Sequence, residues 1–296
     1  MTDPLYKRSV VMIILGGACL SLLGISTRLM DGATGPQIAF YRAISQAVFF
    51  FCVLVWMERQ DPIRSVRAIS IRGWIVAALI AAAAFLIIMA MLYTTVANTV
   101  FIISLTPVCS AILAWLFLKE RVNRRTAMAI VIAIIGVAII FGTNISPTGL
   151  IGMGFAFAMM LCYSSAIVII RTIPHVSMIA LCAISGLILA VAMLPIIGEF
   201  GVTTKDLIIC LGLGIVQAGL GMVLITSGAR HVPAAQVSLL AMSEVVLSPL
   251  WVWIGVGEQP GVFTLIGGAI VLSGVVLLAL GGDGGNLKPN DFKGLD

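Results

Sequence analysis

The stretch Pro107-Val-Cys-Ser-Ala-Ile-Leu-Ala-Trp115, leading to Glu120, returns 138 residues later as Val245-Val-Leu-Ser-Pro-Leu-Trp-Val-Trp253, leading to Glu258. The same offset places Gly136-Val137 on Gly274-Val275 and Asn98 on Gln236. Apolar segments resemble one another by chance. Shared spacing of Trp, Glu and Gly is harder to obtain that way, and it carries the reading of an internal duplication.

Outward from these two stretches the chain stays apolar. Of its 296 residues 61% are hydrophobic and 10% charged, with a mean hydropathy of +1.18, whereas soluble domains carry about 25% charged residues. A surface that meets water cannot be built from so few charges, and one that meets lipid tails needs almost none. About 20 apolar residues of helix cross roughly 30 Å of hydrocarbon while satisfying their own backbone hydrogen bonds. That ruler predicts an all-α membrane protein of ten transmembrane helices, over 9–28, 37–57, 73–93, 97–118, 126–142, 149–170, 177–197, 206–227, 234–254 and 261–280. The first apolar run, Ser9 to Leu29, is longer than a signal-peptide core and lacks an Ala-x-Ala exit, so it reads as a retained helix.

Lys and Arg accumulate on the cytoplasmic side of membrane proteins. With the N-terminus inside, that side receives Lys7 and Arg8; Arg59, Arg64, Arg67 and Arg72; Lys119, Arg121, Arg124 and Arg125; Arg171; Arg230; and Lys288 and Lys293. Of the seventeen basic residues only Arg28, Arg42 and Lys205 fall outside. Orientation therefore explains the net charge of +5, and no nucleic-acid partner is needed. Both termini are expected in the cytoplasm and the protein in a bacterial-type inner membrane. Five spans per half is an odd number, so the second copy enters the membrane from the opposite side. The prediction is two inverted five-helix repeats, 1–146 and 147–281, followed by a flexible cytoplasmic tail, 282–296. In transporters such repeats are related by an axis in the membrane plane, with the solute site near the midplane where the halves meet. The competing reading is a scaffold, although so little soluble mass leaves it little to hold.

These residues resemble the EamA branch of the drug/metabolite transporter superfamily, over nearly the whole chain. Arg42 in Phe40-Tyr-Arg matches an Arg often found at the head of the second span. Leu92-Tyr-Thr-Thr-Val-Ala-Asn98 matches the tight link into the fourth, and Pro107-Val with Leu118-Lys-Glu-Arg121 matches the family signature. The second copy departs from it: Val245 stands where Pro is expected and Pro249 comes four residues later, which leaves the shape of the ninth span open. The resemblance implies two five-helix repeats and metabolite export, and within the family the chain is most similar to its amino-acid exporters.

Polar groups at bilayer depth are costly, which makes those near mid-span candidates for solute contact. Glu244 is the one acidic side chain at such depth, halfway along the ninth predicted span, where a lone carboxylate is expensive to ionise without a partner. It is a candidate for binding an ammonium group or exchanging a proton, with Ser243 beside it. The plainer reading is a protonated Glu bonded to a neighbouring helix. Gln217, Tyr163 and Ser21 fall mid-span in the eighth, sixth and first, as cavity-lining groups or ordinary interhelical contacts. Thr106 and Ser110 put small polar groups on the fourth span, facing a pore or bonding back to their own helix. Asn98 and Gln236 open the fourth and ninth spans as helix caps or gates. Arg42 is assigned to an outer gate or vestibule, while Arg28 is expected to pair with Asp31 or a lipid phosphate. Ala77-x-x-x-Ala81, Gly214-x-x-x-Ala218 and Ala269-x-x-x-Ser273 have the spacing of close helix contacts.

Six cysteines lie singly in apolar runs and His175 and His231 lie in links, so neither disulfide nor metal is indicated and no cofactor is expected. The chain has no phosphate-binding Gly-x-x-x-x-Gly-Lys-Ser/Thr run, and hence no expected ATP partner. The partners expected are a small-molecule substrate and the lipid bilayer; a monomer suffices, although an oligomer is compatible. The sequence favours a secondary transporter exporting amino acids or related metabolites by alternating access. A proton-coupled exporter of drugs or other cations is the alternative. A lipid-modifying membrane enzyme is remote, because no nucleophile, acid-base or metal cluster gathers at a span end.

Overall fold

The computed structural model describes residues 4–56, 69–119, 124–143, 147–173, 176–232 and 234–281. Glu120, Arg59, Arg64, Arg67, Arg121, His175, the boundary near 146 and the tail from 282 lie outside the described residues. The first half holds α1 (Pro4–Leu20), α2 (Leu22–Leu29), α3 (Gly35–Trp56), α4 (Ile71–Tyr93), α5 (Val96–Ile103), α6 (Thr106–Leu118) and α7 (Arg124–Thr143). The second holds α8 (Pro147–Ile170), α9 (Met178–Met193), α10 (Thr204–Gly212), a π-helical stretch (Leu213–Leu220), α11 (Gly221–Gly228), α12 (Ala234–Ala241), α13 (Ser243–Val256) and α14 (Val262–Gly281).

Each predicted span overlaps an apolar helix or a run of successive helical segments. Six are long and apolar enough to cross a bilayer: Leu5–Leu29, Gly35–Trp56, Ile71–Tyr93, Val96–Leu118, Pro147–Ile170 and Thr204–His231. Among the described residues the remaining four are shorter apolar helices, Ala127–Ile140, Met178–Met193, Ser243–Val256 and Val262–Leu277. Large apolar side chains such as Ile134, Ile208 and Ile254 point outward, as expected of a surface covered by acyl chains. The small residues Ala39, Ala43, Ala77 and Ala83 turn inward, where they let helices approach.

The duplication is written in the packing. Helix α4 packs on α8 as α1 packs on α11, and α9 on α4 as α3 on the π stretch, while α3 pairs with α9 and α7 with α14. Exchanging the halves reproduces these contacts. At the α7–α14 seam, a Cβ on Gly136 would strike the Gly267 carbonyl at 2.7 Å and the Val271 nitrogen at 2.9 Å, while one on Gly274 would meet Ala129 and Ala133. These partners are equivalent by the 138 offset. Contact position falls along one helix as it rises along the other, so the seam is antiparallel and the two copies run in opposite directions.

The equivalent breaks fall in register too. Helix α5 gives way to α6 at Ser104 and Leu105, and α12 gives way to α13 at Met242, which is Ser104 plus the same offset. In the first copy Pro107 near the start of α6 lacks the N–H that a continuous helix would use. In the second copy Pro249 lies inside α13, and the helix runs through it. The break at Met242 therefore occurs without a proline in register. Close packing by α1 accompanies it: Gly17 lies so near that a Cβ would overlap Ser243 Oγ and come within 3.4 Å of the Ala241 carbonyl and the Glu244 nitrogen.

Both broken helices end in a left-handed residue, Lys119 (φ 55°) and Gly257 (φ 73°), again 138 apart. Gly adopts that conformation freely and Lys does not. Lys119→Gly is thus expected to raise stability by up to about 1 kcal/mol, read as a higher thermal midpoint in detergent, and Gly257→Ala to lower it by a similar amount. Equal midpoints for Lys119→Gly and the parent would show that Lys119 bears no such cost.

One small-residue stripe is corrected. Ala269 and Ser273 face outward, and the adjacent Gly267, Val271 and Gly274 make the helix contact instead. Ala77 and Ala81 are buried, and Gly214 abuts α3.

Candidate functional site

A cavity of about 370 Å³ lies between the halves. Both helix breaks face it: Ser104, Thr106 and Pro107 from one copy, and Met242, Glu244 and Val245 from the other. Thr106 and Glu244 are equivalents by the 138 offset, so one pseudo-symmetric position carries a hydroxyl on one side and a carboxylate on the other. Glu244 occupies the first turn of α13, just after the interruption at Met242, across which the Val245 N–H bonds to the Met242 carbonyl at 3.0 Å. Discontinuous helices whose ends point at a solute are a recurrent construction in transporters.

The basic pole is Arg42 on α3, only 5% exposed. Its Nε and one terminal nitrogen donate to the Gln217 amide oxygen at 3.2 and 3.0 Å, while Nη1 is buried with no acceptor. Gln217 comes from the π-helical stretch and donates in turn to the Leu20 carbonyl at 3.4 Å. A π segment inserts an extra residue per turn and re-aims the side chains it carries. Its Gly214 sits so close to α3 that a Cβ would lie 2.7 Å from the Gln46 nitrogen. Arg42 and Glu244 line the same cavity without forming an ion pair. The walls between them are apolar and sulfur-rich: Phe50, Ile87, Met159, Met178, Met222 and Cys182.

Of the residues singled out from sequence, the cavity brings together Glu244, Gln217, Tyr163, Thr106 and Arg42. The others lie elsewhere. Ser21 donates to the Ala18 carbonyl and accepts from Trp251 Nε1 at 3.0 Å, cementing α2 to α13. Ser243 Oγ is buried against α1, and Ser110 donates to the Pro107 carbonyl on its own helix. Asn98 is fully buried, donating to Thr94 Oγ1 and accepting from Thr264 Oγ1, a link between α5 and α14. Gln236 is exposed and accepts from Tyr6 at 2.7 Å.

The expected partner of Arg28 is corrected. Its Nε meets Glu258 at 2.6 Å, and its terminal nitrogens donate to the Met91 and Thr94 carbonyls at 2.5 and 2.9 Å; Glu258 also accepts from the Val96 nitrogen at 2.9 Å. Asp31 pairs instead with Lys205 at 2.6 Å, since the chain turns into extended backbone at Met30 and carries Asp31 toward α10. Asp206 on α10 is buried and accepts from the Asp31 and Ala33 nitrogens, closing the same end of the bundle. The cavity reaches toward the opposite end. Its lining includes Met178, which packs with Ile69, Val76 and Ala77 near the start of α4, whereas Arg28 binds at the end of α4.

The EamA-like transporter family profile matches residues 7–142 and again 150–280. The chain belongs to the EamA-like transporter family. One of the solved structures similar to this EamA-like chain is described only as "Crystal structure of protein"; it is 14% identical, with a TM-score of 0.67 over 93% of this chain and 98% of that one. That likeness concerns the fold alone. No curated protein sequence matches. For an EamA-like protein the two profile matches correspond to the two packed copies, and the cavity lies between them.

Three features of this EamA-like site, and one residue at the other end of the bundle, were not singled out from sequence. Gln46 and Ser104 are lining residues whose polar atoms bond to carbonyls, to Cys182 at 3.2 Å and Phe101 at 2.7 Å. The methionine wall carries no signal among fourteen methionines spread over the chain. Asp206 was legible in principle, as an acidic residue in the first turn of a helix capped by Thr203.

Proposed function

We propose that this EamA-like membrane transporter exports amino acids, or small metabolites built like them, across a bacterial-type inner membrane. It does so as a secondary transporter of ten crossings with both termini in the cytoplasm. The observation that carries the reading is the cavity's charge layout, with Arg42 and Glu244 in one lining, among apolar residues and neutral polar ones such as Tyr163 and Thr106, and unpaired with each other. A zwitterion supplies the missing partner to each, and burying a charge without a partner is costly. A cation exporter would use Glu244 equally well but would meet Arg42 as a like charge. The inverted copies and their paired helix breaks support alternating access, in which one copy rocks against the other about the cavity.

The test is counterflow of amino acids into proteoliposomes. Flux of a neutral apolar amino acid without ATP is expected; no flux of any amino acid across the full set would end this substrate class. Glu244→Gln removes the charge and keeps the shape. It is expected to slow leucine flux about tenfold or more, the worth of one charge-assisted hydrogen bond. Equal rates for Glu244→Gln and the parent at every point of a pH series would remove Glu244 from the mechanism.

A further inference from the structure

Arg42 has more hydrogen-bonding capacity than the fold uses. A guanidinium carries five N–H donors in a planar fork and matches planar oxyanions with two parallel bonds. Here Gln217 Oε1 takes one bond from Nε and one from a terminal nitrogen, which fixes the plane of the group. Nη1 is left buried without an acceptor, and the residue as a whole is 5% exposed. A buried donor on a charged group left unpaired loses its hydration without a replacement bond. The neighbouring Gln46 Nε2 donates to the Cys182 carbonyl and the Ser45 hydroxyl to the Arg42 carbonyl, and neither side chain accepts from Nη1.

Gln217 is itself held in place. Its amide nitrogen reaches the Leu20 carbonyl of α1, and Gly214 one turn earlier locks the π stretch to the backbone of α3 at Arg42 and Gln46. The guanidinium is thus carried by two elements from opposite halves, at the wall of the cavity rather than at the mouth of the protein.

We propose that Arg42, oriented by Gln217, is the receptor for a substrate carboxylate, so that the acid group rather than the ammonium group selects what this transporter accepts. The proposal rests on the amino-acid reading above and narrows it: a monocarboxylate whose side chain is bulky and apolar. On arrival the carboxylate takes the free Nη1 as the fork turns about its Gln217 contact. The side chain lies along Phe50, Met159, Met178 and Met222, a soft wall that adapts to branched or thioether groups without hydrogen bonding to them. Gln217 is a positioning residue in this scheme and Arg42 the contact.

Three probes separate the two charges on one skeleton: leucine, 4-methylpentanoate, which lacks the amine, and 3-methylbutylamine, which lacks the carboxylate. Binding to the purified full-length protein is read as a ligand-induced thermal shift, and movement as counterflow in proteoliposomes. The parent is expected to bind leucine best and 4-methylpentanoate ahead of 3-methylbutylamine. Arg42→Gln should weaken the two acids about tenfold or more while leaving the amine within a factor of about two, the loss of one charge-assisted contact. Arg42→Lys, which keeps the charge but not the fork, should recover only part of the acid binding, and it tests the point should Arg42→Gln fail to fold. Gln217→Leu should weaken both acids less than Arg42→Gln does. Equal losses for acid and amine in the Arg42 variants would mean a structural role and overturn the proposal. So would a parent that prefers the amine, or one that binds none of the three. Should the amine bind and move while the acids do not, the carboxylate receptor fails and the transport reading survives. Absence of flux for every amino acid ends that reading instead.

Discussion

Gly214→Ala is expected to disrupt the protein far more than a single methyl group ordinarily does, whereas Gly212→Ala, two residues earlier, leaves it intact or slightly stabler. A Cβ at 214 would overlap the Arg42 carbonyl and Ser45 Oγ and lie 2.7 Å from the Gln46 nitrogen; a Cβ at 212 meets nothing within 4 Å. Side-chain neighbours can rotate away, but backbone atoms of α3 cannot, so the π stretch and α3 must separate. Overpacking of this kind costs about 1–3 kcal/mol. Here it also moves the Gln217 oxygen from the Arg42 guanidinium, so a marked fall in thermal midpoint should come with loss of leucine binding. At Gly212, in a helical conformation, Ala lowers the entropy of the unfolded chain and gains up to about 1 kcal/mol. The paired melting curves check this. Similar midpoints for the two variants would show that the α3 contact tolerates a wider spacing.

Glu258→Ala is expected to open the end of the bundle that Arg28 closes. Glu258 accepts from Arg28 at 2.6 Å and from the Val96 backbone at 2.9 Å, and so fastens the chain after α13 to α2 and to the start of α5. Without it the Arg28 cation keeps only the Met91 and Thr94 carbonyls. Both side chains are about a fifth exposed, 23% and 22%, so water screens part of the loss. The cost falls between that of a surface and a buried pair, at about 2 kcal/mol. The readout is accessibility. In a protein retaining Cys182 alone of its six cysteines, an impermeant thiol reagent applied from the Arg28 side should react slowly. Glu258→Ala should speed the reaction about tenfold or more, since about 1.4 kcal/mol shifts an open-closed equilibrium by ten. An unchanged rate would mean that the remaining contacts at that end, such as Asp206 with the Asp31 and Ala33 nitrogens and Gln37 with the Glu199 carbonyl, suffice to close it.

Glu244, Gln217, Tyr163 and Thr106 were legible because each is polar at a depth where polarity is costly, whereas Arg42, expected at an outer gate, lies buried in the cavity lining instead. That reasoning cannot tell a side chain facing a cavity from one spent on a neighbouring helix. Ser21 and Glu244 look alike by depth, yet Ser21 serves Trp251 and Glu244 faces the cavity. Arg28 shows the same limit. Asp31 is three residues away and Glu258 is 230 away, and only folding brings the distant one near.

The apolar composition, the polar residues at depth and the offset of 138 are properties of the chain. They suffice for a helical membrane protein of two like copies, because lipid demands helices and a duplicated sequence folds twice the same way. The break in the first copy was not singled out, since 97–118 is expected as one span, although Pro107 removes a donor at that point. Which faces of those helices meet was decided by tertiary packing. The Met242 break without a proline in register, the π stretch that turns Gln217 toward Arg42, and the ion pair across the halves all depend on backbone approaches between residues far apart in sequence. In a chain whose helices are apolar all round, hydrophobic periodicity cannot specify those approaches, because lipid and neighbouring helix are equally good surroundings for a Leu.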